Sequence, residues 1–170
     1  FRVILAPLEQ FRFREGRTMK ALLCSFFVLL FANSYADEYN IPPSRSILER
    51  EESFSPIVYY FSSPDAVSKP YPIFIICDGS ENKGSERSIL LVRNFFEEHV
   101  HSLDLGYLAL EKCGIDGNEI DKTEFWNRYT RSQRLKDHIQ VIRHFEENPP
   151  AGWNGQFIFA GVSEGGPLVT

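Results

Sequence analysis

At 170 residues the chain has the length of one domain rather than two. Hydrophobic residues make up 43% of it, and 15 residues are phenylalanine, which argues for a packed core and against intrinsic disorder. A net charge of −5 offers nothing to a polyanion, so neither nucleic acid nor an anionic membrane surface is an expected partner.

The chain begins at Phe1, but its only methionine is Met19. Phe1 to Thr18 are therefore expected to lie upstream of the true start and to have no structural role. From Met19 the order is Lys20, a 12-residue apolar run from Ala21 to Ala32, and then Ser34 and Ala36 before Asp37. A positive residue, a short hydrophobic stretch and small residues at the −3 and −1 places describe a secretory signal peptide over 19–36. The competing reading makes the run a buried helix or strand of the domain. A membrane span needs roughly 20 apolar residues, so none is expected in the mature chain. Export would place the protein in a periplasmic or secreted location. Setting aside residues 1–36, with five Lys/Arg and two Asp/Glu, leaves 13 basic against 21 acidic side chains, net −8. Two cysteines remain, Cys77 and Cys113. An oxidising compartment permits them to pair, while the alternative is two small buried residues at strand ends.

Residues 37–55 are polar, with Pro42-Pro43 and a charged run from Glu49 to Glu52, and read as an exposed lead-in to a domain over 56–170. Pro56 to Phe61, β-branched and aromatic, predicts a strand. Ile73 to Cys77 is continuously apolar, as a central strand covered on both faces would be. It ends in the polar loop Asp78-Gly79-Ser80. Ser85 is placed to cap a helix carrying Ile89, Val92, Phe96 and Val100 at helical spacing, with His99 and His101 near its end. Gly106 to Leu110 predicts the next strand. Glu111 to Thr130 is an acidic excursion whose Asp116 to Asp121 stretch lacks the third ligand and the glycine of a calcium loop, so no metal is expected there. Ser132 to Asn148 predicts a helix with Leu135, Ile139, Ile142 and Phe145 along one stripe. Trp153 to Gly155 reads as a turn into a buried strand from Gln156 to Ala160. Strands alternating with helices of this length predict an α/β fold, a mostly parallel central sheet with helices on both faces.

That last strand runs directly into Gly161-Val162-Ser163-Glu164-Gly165, a G-x-S-x-G. After an apolar strand, the pattern places a serine at the tip of a sharp strand-to-helix turn. Glycines flank it because Cβ atoms there would collide. The serine is expected in strained φ/ψ with its Oγ outward, and the N–H of Glu164 aimed where a tetrahedral oxyanion would form.

The run Ile75 to Ser80, the two helices, Gly152 to Gly155, and Phe159 to Gly166 together resemble the first half of an α/β-hydrolase. More narrowly, they resemble bacterial serine esterases, thioesterases and peptidases of the dienelactone-hydrolase and prolyl-oligopeptidase type. The resemblance covers roughly Ile57 to Thr170. It implies Ser163 as nucleophile, the Glu164 N–H as one oxyanion donor, and the N–H of Gly79 or Ser80 as the second. Gly161 and Gly165 would be the elbow glycines. It implies no cofactor and no metal, and a small-molecule acyl substrate or short peptide as partner.

Two departures stand out. Where family members often have His-Gly, this chain has Asp78-Gly79, which adds a negative charge near a site that must stabilise one. The triad order is Ser, then Asp or Glu, then His, yet His99, His101, His138 and His144 all precede Ser163. His138 and His144 read as helix-surface or packing residues. The expectation is therefore the front half of a serine hydrolase, truncated after the nucleophile turn, without its acid and base. The alternatives are a non-catalytic remnant or binding protein of the same framework, and a flavodoxin-like or Rossmann-type binder. The last is disfavoured by the absence of a G-x-G-x-x-G after the first strand.

Overall fold

A computed structural model describes residues 4–5, 40–50, 54–64, 69–79, 86 and 88–168. The segment 19–36, expected to be a signal peptide, and Ser80 and Ser85 lie outside the described residues. One six-stranded sheet organises the fold, in the spatial order β2 (Arg45–Leu48), β3 (Ile57–Ser62), β5 (Gly106–Leu110), β4 (Tyr71–Cys77), β8 (Trp153–Gly161) and β1 (Ile4–Leu5). Among the described residues three α-helices accompany it: α1 (Leu90–His101), α2 (Lys122–Arg128) and α3 (Arg131–Glu147).

The sheet is mixed, which corrects the expectation of a mostly parallel one. β4 runs parallel to β5 and β8, while β3 is antiparallel to both β2 and β5, and β1 is antiparallel to β8. Connection length explains the difference. Parallel neighbours need a crossover of a dozen or more residues, usually helical. From β2 onward in the main sheet, only the links carrying α1, and then α2 and α3, are that long. The shorter links on either side of β3 reverse the chain.

Two further expectations change. Residues 37–55 are not merely an exposed lead-in: β2 lies within them and extends the sheet. The Arg50 side chain there is buried, and its guanidinium makes a two-pronged bond to Asp137 of α3, each contact at 2.9 Å. At the other end, Ile4–Leu5 form a strand within a segment to which the sequence assigned no element. The expected turn at Trp153 to Gly155 is an irregularity inside β8. Tyr71 pairs with Trp153 but Ile73 with Phe157, so β8 spends two extra residues there. Gly155, at φ +83°, turns the chain, and the Asn154 side chain accepts from the Gln156 N–H at 3.0 Å.

Side chains alternate across the sheet and bury both faces. Ile57, Tyr59, Ile73, Ile75, Leu108 and Leu110 meet Val141 and Phe145 of α3. The opposite face holds Val58, Tyr60, Phe74, Ile76 and Tyr107, all buried, and Ser62 on that side bonds Glu97 and His101 of α1. β8 is less covered than a buried strand would be. Phe157, Ile158 and Phe159 are half-buried; among the described residues, Ile4 and Leu5 alone pair along its outer edge, opposite Gly161 and Ala160.

The buried face of α3 is Arg134, Asp137, His138, Val141 and Phe145, not the expected Leu135, Ile139 and Ile142. Leu135 and Ile139 are 43% and 40% exposed, and of the expected stripe only Phe145 is fully buried. Polar residues occupy the buried turns because each meets a polar partner there: Asp78 for Arg134, Arg50 for Asp137 and Cys77 for His138. α3 is capped by Thr130, whose side chain accepts from the Gln133 N–H, and α2 by Asp121, which accepts from the Glu124 N–H. Within the former acidic excursion, β6 (Ile115–Asp116) and β7 (Glu119–Ile120) form a small hairpin, and Asp116 pairs with Arg45. No helix among the described residues is long and apolar enough to cross a membrane.

Candidate active site

Strand β8 ends at Gly161, and a 3-10 helix spans Ser163–Leu168, so Val162 alone makes the turn. Its N–H donates to the Cys77 carbonyl at the end of β4 (2.9 Å), and its own carbonyl accepts from the Gly165 N–H (2.8 Å). A Cβ on Gly161 would lie 2.4 Å from the Gly165 oxygen. One on Gly165 would lie 2.0 Å from the Cys77 oxygen and 2.8 Å from that of Asp78. Neither glycine has a left-handed φ. Their requirement is space, since main chain presses on main chain at both positions. Ser163 and Glu164 are the first two residues of the 3-10 helix. The helix is tied to α3 through Arg131, whose Nη2 donates to the Pro167 carbonyl at 2.6 Å.

Across the turn, the chain leaves β4 through Asp78 and Gly79. Asp78 is buried, and its charge does not stand alone as the sequence suggested. Lys112 Nζ lies 2.9 Å from one carboxylate oxygen and Arg134 Nη2 3.3 Å from the other. The same Arg134 nitrogen donates to the Asp78 main-chain carbonyl at 2.6 Å. Two buried cations thus hold one buried carboxylate beside the turn. Gly79 is half-buried. Main-chain contacts thus join the Gly79 loop to the serine turn through Cys77 and Asp78.

Beneath the loop a small enclosed pocket is lined by Cys77, Asp78, Glu111, Lys112, Arg134 and His138, among others. Glu111 follows directly on β5. Its carboxylate accepts from Tyr60 Oη (3.0 Å), the Ile89 N–H (2.9 Å) and Ser88 Oγ. This carboxylate holds the start of α1 together with Ser88 Oγ, which accepts from the Leu90 N–H at 3.0 Å. Burial pushes the Glu111 carboxyl up to about 7, against the opposing pull of those three donors.

His138 stands in the same pocket. Its Nδ1 is 2.7 Å from the Arg134 carbonyl, which can only accept, so Nδ1 carries the proton. Nε2, 3.2 Å from Cys77 Sγ, then accepts from the thiol. Burial lowers the His138 pKa and pushes the Cys77 thiol up to about 12, so both are neutral near pH 7. Cys77 and Cys113 are free and buried. Cys113 sits near Ser55 and Glu124 instead. His101 bonds Ser62, and His144 packs edge-on to Tyr59 and Phe145.

Lys112, Arg134 and Glu111 escaped the sequence reading. One signal was available: an Asp in a loop beside a site for a developing anion demands a countercharge. Glu111-Lys112 at the end of an apolar strand was the nearest source.

No protein-family model matches the chain, and no curated protein matches it. Among solved structures, the esterase Est1E from Butyrivibrio proteoclasticus is similar at 17% identity and a TM-score of 0.49, over 74% of this chain and 43% of that one. A bacterial heroin esterase is similar at 14% identity and a TM-score of 0.49, over 88% of this chain and 43% of that one. The chain therefore spans less than half the length of either.

Proposed function

We propose that this chain is the N-terminal part of an exported serine hydrolase of the α/β-hydrolase type, acting on an ester, thioester or short peptide. Ser163 Oγ attacks the acyl carbonyl, the alcohol, thiol or amine departs, and water then hydrolyses the acyl-enzyme. The Glu164 N–H and a main-chain N–H from the Gly79–Ser80 loop receive the oxyanion.

The observation that carries this reading is the turn itself. One residue reverses the chain at the end of a strand, and its two flanking glycines leave no room for a Cβ. Such close approach beside the end of the neighbouring strand is what exposing a nucleophile requires.

The base and its acid come, in this reading, from chain beyond Thr170. His101, His138 and His144 are engaged by Ser62, by Cys77 and the Arg134 carbonyl, and by the Tyr59–Phe145 aromatic pair. Those engagements also favour a second reading, a non-catalytic remnant of the fold. A fluorophosphonate probe separates the two. Labelling of the full-length protein that vanishes in Ser163→Ala supports the hydrolase, and an unlabelled, folded full-length protein overturns it in favour of the remnant.

A further inference from the structure

We infer that Arg134 and Lys112 are positioning residues for catalysis: by clamping Asp78 they orient the Gly79 N–H as an oxyanion donor. The inference rests on the hydrolase reading above and goes further, naming what holds one half of its oxyanion site.

The argument begins with the peptide unit between Asp78 and Gly79. Its C=O and N–H are locked in one plane and point opposite ways. Arg134 Nη2 holds that carbonyl at 2.6 Å, inside a cluster where Arg134 is 6% and Lys112 4% exposed. With the oxygen held inward, the Gly79 N–H is turned outward, away from the buried cations. A glycine-containing loop would otherwise let this plane rotate cheaply.

The side chain of Asp78 supplies the second hold. Lys112 grips it from the end of β5 and Arg134 from α3, so two separate elements fix the residue before the donor. The same segment is pinned on its other flank by the Val162 N–H to Cys77 carbonyl bond, and Gly165 packs so close that an added Cβ would fall 2.8 Å from the Asp78 oxygen. Donor loop and serine turn therefore share one rigid main-chain junction. Asp78 then has a use. In place of a residue reaching toward substrate, it is the anchor on which the donor is mounted.

The test uses the full-length protein and an activated acetate ester, with kcat and KM measured for Arg134→Lys, Arg134→Ala and Lys112→Met. A donor mispositioned only for the tetrahedral species affects kcat and spares KM. We expect kcat to fall about 10- to 100-fold, short of the roughly 10²- to 10³-fold cost of deleting a whole oxyanion donor. KM should move by less than about twofold, and added guanidinium should restore part of the Arg134→Ala loss, which a misfolded variant could not show. If Arg134→Ala does not fold, Arg134→Lys, which keeps the charge and loses the fork, decides. Unchanged kcat in folded Arg134→Lys, or a loss confined to KM, overturns the inference while leaving the serine chemistry standing. A wild-type protein that neither turns over ester nor reacts with the fluorophosphonate overturns both.

Discussion

Replacing Gly165 with alanine tests the serine turn directly, because ordinary rules point the wrong way. Where φ suits alanine, a Gly→Ala change stabilises by about 0.4–1 kcal/mol, since the unfolded chain has less freedom to lose. Gly165 has no left-handed φ, yet its added methyl would sit 2.0 Å from the Cys77 oxygen. Close carbon–oxygen contacts normally fall at about 3.3–3.6 Å. The two main-chain segments must therefore part by more than about 1 Å. That opens the 2.9 Å bond from the Val162 N–H to the same oxygen, costing about 0.5–1.5 kcal/mol, on top of about 1–3 kcal/mol for overpacking. Against the entropic gain, the net expectation is a destabilisation of about 2–3 kcal/mol. Urea unfolding reads it as a lower midpoint at constant slope. Gly155→Ala is the control, for a Cβ there meets nothing within 4 Å and only its φ of +83° resists. Its cost should be smaller, about 1 kcal/mol. A Gly165→Ala protein as stable as wild type, or costing less than Gly155→Ala, refutes the steric account of the turn.

Glu111 predicts a pH dependence of stability. Folded, its carboxyl keeps its proton up to about 7. Unfolded, it releases it near its ordinary 4.5, so stability falls as pH rises through that window, by about 3 kcal/mol in all. Denaturation from pH 4.5 to 7.5 should show a flatter profile in Glu111→Gln, and an unaltered slope would exclude Glu111 as its source. Asp137→Ala should cost about 3–5 kcal/mol by stranding the Arg50 guanidinium, 1% exposed, whereas Asp116→Ala, which frees a half-exposed Arg45, should cost under about 1 kcal/mol. Equal losses in thermal unfolding would contradict that ranking. Burial holds the Cys77 and Cys113 thiols at about 12 and about 11, so iodoacetamide at pH 8 should leave both unmodified until urea is added. Native-state alkylation of Cys77, read by peptide mass, would contradict the buried pairing with His138.

Strand and helix positions were written in local composition. The apolar run ending at Cys77, the five residues from Gly106, and the helix stopped by Pro149 each declare themselves through periodicity and punctuation. So does the steric demand of a G-x-S-x-G after a strand, to which the distances give atoms: Gly161 against Gly165, Gly165 against Cys77 and Asp78. Strand direction and helix rotation were less legible, because both depend on partners distant in sequence. β2 is only four residues long and could be recognised only from its pairing with β3. The buried face of α3 was misjudged because hydrophobicity favoured Leu135 and Ile139. Arg134 and His138 face inward because Asp78 and Cys77 wait for them, 56 and 61 residues away.

The sequence by itself therefore determined the α/β class, most elements and a tight turn after β8, which Val162 makes, since each follows from the geometry of a few neighbouring residues. Only the tertiary structure decided which strands run antiparallel, which way α3 faces, and what neutralises Asp78. A charge is buried only where the folded chain brings countercharges to it, and Lys112 and Arg134 come from two different elements.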